Sequence, residues 1–392
     1  MLADTLGAPA VYEEDGMLVV RCWKRGTLGL YVDVFKKIQQ FNAVRDILIE
    51  FEFASFGDFW VTALFAFFLG VLRLAGKRTT LVLHQVITDL LSLNGHLGLR
   101  YDSRQYQLFS KLLPVFYATV TNLATQTVVL EEVLKNRLRG LAPMDRITVI
   151  RHGTDVRENR LTKQAARRKL KIPADSYVVL SFGFVTWYKG TDWLLDALKN
   201  TTSINGRKLQ IIIAGGASPT LRGKPHYDAY YQTVAHQVHA IPHARLTGFL
   251  PEGKLDLYFQ AADVVVLPYR TMMSSSGPFS IALSYGKPIM LSDAMRPYLA
   301  SSDVREAMSA ARITSRDLLM PQDLSTLPKR LEQLHHGSTR KKLIRFSRNL
   351  AARRAFPHTA DAYAAIVRPT PASGILGRVV SPVLPRLKMG YR

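Results

Sequence analysis

Residues 246–293 read LTGFLPEGKLDLYFQAADVVVLPYRTMMSSSGPFSIALSYGKPIMLSD, and this stretch decides the fold. It gives a short strand and turn, a helix over 254–262, a strand over 263–268, and a Ser/Gly-rich loop that opens a second helix. The run Val264-Val265-Val266-Leu267 has no polar alternation, so both of its faces must be covered, as in a parallel sheet. The loop Ser274-Ser275-Ser276-Gly277, continued by Pro278 and Phe279, brings hydroxyls, backbone N–H groups and a helix N-terminus together. Such a place binds anions, phosphate first among them. The alternative is a Ser-rich turn that only caps the next helix.

The same alternation runs through both halves. In the first, strands are expected at 17–22 (MLVVRC), 46–53 (DILIEFEF), 79–83, 125–130 and 147–150, with helices at 31–41, 59–72 and 104–117. In the second, strands are expected at 177–182 (YVVLSF), 209–214 (LQIIIA), 246–249, 263–267 and 288–291. Helices are expected there at 192–198, 329–354 and 360–367. Strands separated by helical segments of about ten residues or more imply α/β architecture with doubly wound parallel sheets.

A chain of 392 residues is too long for one ordinary core and suggests two domains. The charged segment 157–171 (RENRLTKQAARRKLK) lacks a core-sized apolar face, which puts the boundary near 160. This gives an N-terminal domain over 1–160, a C-terminal domain with closing helices over 161–367, and a basic, Pro-containing tail over 368–392 expected to be poorly ordered. The stretch 59–72 (FWVTALFAFFLGVL) is shorter than the ~20 residues a bilayer span needs, so it reads as a core helix. No basic region leads into an apolar core at the N-terminus, so no secretory signal is expected. The single Cys22 excludes an internal disulfide and a Cys-based metal site, and fits a reducing, cytoplasmic compartment.

Fifty-two Lys and Arg against thirty Asp and Glu leave a net charge of +22. Such a field favours an anionic partner. A nucleic acid is not expected, because no helix-turn-helix, zinc spacing or RNP-type aromatic motif occurs. An anionic membrane surface fits better, with Arg167/Arg168/Lys169/Lys171 and Arg340/Lys341/Lys342/Arg345 as the candidate contacts.

Ligands in doubly wound sheets sit beyond the carboxyl ends of strands. One strand ends at Gly183, in Gly183-Phe184-Val185-Thr186-Trp187-Tyr188-Lys189-Gly190, and Lys189 can meet a diphosphate there as a point charge. A solvated loop lysine is the bland alternative. His84 follows the strand at 79–83 and is either a site histidine or a buried, satisfied one. In Val149-Ile150-Arg151-His152-Gly153-Thr154-Asp155, Gly153 permits a tight turn at the junction of the halves and Asp155 can cap it. No Asp-x-Asp occurs, so a dedicated magnesium clamp is not expected.

The order and spacing of IRHGTD, GFVTWYKG, LTGFLP, AADVVVLPY and SSSGPFSIALSYGKPI resemble retaining glycosyltransferases of family 4 over roughly residues 17–367. The resemblance implies the GT-B fold, two Rossmann-like domains facing across a cleft, with a nucleotide sugar bound by the second and an acceptor by the first. It implies donor binding at Gly183, Lys189, Ser274, Ser275, Ser276, Gly277, Pro278 and Phe279, and main-chain reading of the base at Gly248, Phe249 and Leu250. It gives His84 a place facing the donor sugar, and Glu52, before Gly57, an acceptor-side place.

Four departures stand out. The paired glutamates of many members fall here on Met273 and Ile281, as in a variant branch with a Ser-Gly turn. The Arg that often follows the first glycine is Phe184. The first strand and Gly-rich loop are not found ahead of 17–22, so a misassigned start or a truncated N-terminus is expected. The implied activity is metal-independent transfer of a glycosyl group, with retention, to a saccharide or lipid-linked acceptor at the cytoplasmic membrane face; no cofactor is implied beyond the donor. The departures leave a second reading open, a catalytically inactive nucleotide-binding or scaffold relative.

Overall fold

The computed structural model describes residues 1–41, 43–157, 161–321 and 323–367; the expected boundary at 160 and the tail 368–392 lie outside the described residues. The described strands fall into three sheets. β1 (Leu2–Asp4), β2 (Ala10–Glu14) and β3 (Met17–Trp23) form a small sheet in the order β1-β3-β2, with β1 parallel and β2 antiparallel to β3. β4 (Asp46–Phe51), β5 (Arg78–Leu83), β6 (Gln126–Val129) and β7 (Ile147–Val149) form a parallel sheet in sequence order.

The third sheet contains β8 (Tyr177–Phe182), β9 (Ser203–Ile204), β10 (Arg207–Ala214), β11 (Ala244–Leu246), β12 (Val264–Leu267), β13 (Ile289–Ser292) and β14 (Leu319–Met320). Its order is β11-β10-β8-β12-β13-β14, all parallel, with β9 antiparallel on β10. Every residue of β12 and β13 is buried, which is why these runs carry no polar alternation. After β8 the chain winds outward through β10 and β11, then returns to place β12 on the other side of β8. The strand order therefore reverses between β8 and β12, and the crevice beyond their carboxyl ends is where such sheets bind ligands.

The helices depart from expectation in three places. The basic segment expected as one helix is two, Leu327–His336 and Ser338–Arg353, broken at Gly337. Pro225–Ala240 and Ser302–Ala311 are helices that the residue pattern did not announce. The last helix, Phe356–Val367, crosses back so that Ala362, Tyr363 and Ile366 pack on the core of the first sheet. That crossing is fixed where Thr154 pairs with Ala355 and where a Cβ on Gly153 would fall 2.4 Å from the Phe356 ring. The IRHGTD turn thus lies where the last helix crosses back.

Ahead of β3 stand two strands where none was expected, joined to it through the Asp15-Gly16 turn with φ of 51° and 75°. The absence of a convincing strand in the first sixteen residues, expected from the sequence, is thus corrected. β1 and β4 both border a cavity of about 1960 Å³ that continues to Glu52, Gln85 and Lys189.

Candidate active site

Beyond β8, Gly183 takes φ of +112° and turns the chain into the short helical turn Trp187–Lys189. The Lys189 ammonium folds back over this turn: a Cβ on Gly183 would lie 2.9 Å from its Nζ and 2.9 Å from Pro278. Gly183, Lys189 and the Ser-Gly turn beyond β12 therefore converge on one place. Among the described residues Lys189 makes no ion pair, and burial lowers it to about 8, with Glu52 opposing that shift. An anionic ligand would restore its charge.

The serines divide their roles. Ser276 is the N-cap of the Gly277–Ser284 helix: its Oγ accepts from the Phe279 N–H at 3.2 Å and shares a hydrogen bond with the Tyr269 hydroxyl at 2.9 Å. Its own N–H donates to the Tyr298 hydroxyl at 2.7 Å. Ser276 and Phe279 are therefore committed to holding the loop, in line with the capping alternative. Ser275 Oγ donates to Glu131 at 3.3 Å, and the Ser274 backbone pairs with Gln85 of the first domain. At Gly277 a Cβ would meet nothing within 4 Å, so the helix start faces open space there.

Three glycines bring the remaining strand ends together. A Cβ on Gly215 would come 2.0 Å from the Gly183 carbonyl oxygen, and one on Gly216 2.7 Å from the Phe249 nitrogen. Gly248, at φ of +73°, completes the approach. On this platform the rings of Phe184 and Phe249 stack with centroids 6.2 Å apart, and both are partly exposed. Only the replacement of an arginine by Phe184 hinted at that pair.

On the first domain, Glu52 accepts from Gln85 Nε2 at 2.8 Å and borders the large cavity with Lys189. His84 Nε2 lies 2.6 Å from Glu50 Oε2. His84 borders a second cavity of about 420 Å³ with Glu50, Arg151, His152 and Tyr363; Glu52 borders both cavities. The structure thus joins Glu52 to Lys189 and leaves His84 on the neighbouring cavity. His96, which the sequence did not single out, borders the Lys189 cavity, and burial with His226 and Lys224 nearby lowers it to about 4.

Met273 lies in an apolar cluster with Ile87, Leu90 and Leu93 of the first domain. Met273 also borders the cavity that holds Lys189. Arg137 closes the same junction, donating to the Val86 and Met272 carbonyls at 2.9 and 2.8 Å. Deeper still, Arg354 grips Glu131 at 2.6 and 3.1 Å and Asp303 at 2.8 Å, with Glu131 and Arg354 each about 1% exposed.

The two-domain arrangement is the GT-B fold. It aligns with the sucrose-phosphate synthase of Thermosynechococcus elongatus at a TM-score of 0.68 and 17% identity, over 93% of this chain and 86% of that one. Anabaena Alr3699/HepE, solved with UDP and glucose, aligns at 0.60 and 16% identity, over 89% and 84%. Residues 162–299, which hold Gly183, Lys189 and the Ser-Gly turn, match the family model described as "Glycosyl transferases group 1". Over 139 residues the chain is 30% identical to a D-inositol 3-phosphate glycosyltransferase of Xylanimonas cellulosilytica. That match covers 34% of this chain and 31% of the relative, so it spans about a third of the relative's length.

Proposed function

We propose that the chain is a nucleotide-sugar-dependent hexosyltransferase that moves a sugar, with retention and without a metal, to a saccharide or lipid-linked acceptor. The observation that carries this is the convergence of Gly183, Lys189 and the Ser-Gly turn at the point where strand order reverses. Lys189 meets the diphosphate, assisted by the open N-terminus at Gly277 and the hydroxyls of Ser274 and Ser275. These groups stand where charge develops on the leaving nucleotide. Gly248, Phe249 and Leu250 hold the base, and the Phe184–Phe249 pair offers it a stacking face. The presence of UDP and glucose in the Anabaena relative favours a UDP-linked donor. Glu52 stands on the acceptor side, and His84, held by Glu50, is the catalytic histidine on the donor-sugar side.

The division into domains at residue 160 and residence at the cytoplasmic membrane face belong to the same reading. Of the basic residues named for membrane contact, Arg167 is excluded, since it is 2% exposed and donates to Asp263 and to the Ala261 carbonyl. A second reading, an inactive nucleotide-binding relative, draws support from Met273, whose place in the interdomain cluster leaves the turn without a carboxylate.

A thermal-shift panel with UDP, GDP, ADP and their sugars tests the donor site. A ligand at about 100 times its Kd adds ~2.7 kcal/mol and raises Tm by a few degrees. The proposal expects a shift with one base that Lys189→Ala abolishes. No shift with any nucleotide sinks it, and binding without turnover of the sugar selects the inactive relative.

A further inference from the structure

The Phe59–Leu74 helix is apolar all round, which ordinarily means that every side is covered. Its inner face is: Val61, Phe65, Phe68, Leu69 and Leu72 are buried in the first domain's core. Its outer face is not. Trp60, Leu64, Phe67 and Leu74 are 68, 41, 73 and 90% exposed, at spacings that put them on one stripe. The neighbouring Arg104–Leu123 helix presents a second stripe, with Leu108, Leu112 and Val115 at 45, 39 and 59% exposure. The two helices are joined by the stacked rings of Phe59 and Phe109, 4.2 Å apart. Exposed apolar surface on this scale marks a place of interaction.

Charge and shape say what covers it. Between residues 59 and 125 stand Arg73, Lys77, Arg78, Arg100, Arg104 and Lys111, against only Asp89 and Asp102. Arg78 pairs with Asp46 and Arg100 with Asp102, but the two helices themselves carry Arg73, Arg104 and Lys111. Apolar stripes on basic helices fit an anionic lipid surface. At 16 residues the first helix is about 24 Å long, too short to cross a bilayer, so it would lie on one. Ala63 and Ala66 of the first helix and Leu112 and Val115 of the second also border the large cavity, which Glu52 and Lys189 border as well. Its volume of about 1960 Å³ exceeds the ~300–1,000 Å³ usual for one small ligand.

We propose that the outer face of these two helices docks on an anionic lipid bilayer, and that the cavity between them admits the apolar chain of a lipid-borne acceptor. This rests on the transferase reading and names its acceptor class. It also moves the membrane face from the basic clusters of the second domain to the first.

The test is flotation of the full chain with vesicles of phosphatidylcholine and phosphatidylglycerol. The parent floats at low salt, and Leu64→Asp/Phe67→Asp lowers the vesicle-bound fraction at least about tenfold. Lys341→Glu/Arg345→Glu, in the second domain, changes it less than about twofold. Both pairs are on the surface, and an unaltered Tm shows that the variants fold. Vesicles bearing brominated acyl chains quench fluorescence in the parent, and Trp60→Phe removes that quenching. The inference is overturned if the parent does not float, if the Leu64/Phe67 variant floats as well as the parent, or if the stripe proves to join two copies of the chain in a dimer that those substitutions dissociate. The nucleotide thermal shift reads the donor site independently, so its survival alongside failed flotation breaks only this inference.

Discussion

In the third sheet, residues 177–181 of β8 and all of β12 are buried, and a single apolar core surrounds them. In the first domain β4 alternates half-buried and exposed positions, leaves Leu48 42% exposed and borders the large cavity. The proposed chemistry needing atomic placement, a lysine against a diphosphate, belongs to the closed sheet. The proposed binding of a bulky second substrate belongs to the domain with open volume. Among the contacts that hold the two in register are the Glu131–Arg354–Asp303 group, Arg137 and Met273.

Breaking that register has the largest expected effect. Glu131→Ala leaves Arg354 buried with half its partners, which costs about 3–5 kcal/mol. Calorimetry should then split unfolding into two transitions, the first domain melting earlier; a single transition near the parent Tm would mean the domains are not coupled through this group. Next comes the closed sheet's chemistry. Lys189→Ala should lower sugar turnover ~10²–10³-fold, roughly 3–4 kcal/mol, with an unaltered Tm, and unimpaired turnover would remove Lys189 from the site. Gly183→Ala forces a side chain into φ of +112° and against Lys189, costing about 1–3 kcal/mol in stability and displacing the ammonium; equal nucleotide affinity in this variant would argue against the convergence. The smallest effect is at the platform. Phe249→Ala should weaken nucleotide binding by about 1 kcal/mol, roughly fivefold in Kd, and leave stability alone.

The same contrast explains what the sequence disclosed. Runs such as YVVLSF, LQIIIA and VVVL announce buried parallel strands because apolar residues dominate both faces. Of the strands that escaped notice, β1 is short and half-buried and β2 mostly exposed, though Asp15-Gly16 was a readable hairpin signal. The stretch 59–72 was legible as a helix, but its composition could not show that only one side is covered. Lys189 and the Ser-Gly turn were legible because each follows a strand. Glu131 and Arg354, 223 residues apart, were not, since no local pattern reports a contact made by the returning chain. Nor could spacing reveal which of the serines caps the helix or that His84 turns to Glu50.

Titration calorimetry with UDP across pH 7 to 10 tests the central claim most directly. Lys189 stands at about 8 in the free protein, and a bound diphosphate raises it. Binding above pH 8 must therefore take up a proton, and Kd should rise up to about tenfold per pH unit there while staying flat below. Lys189→Ala should bind more weakly with no such break. A parent that binds no nucleotide, or one whose Kd lacks the break that Lys189→Ala also lacks, would contradict the account.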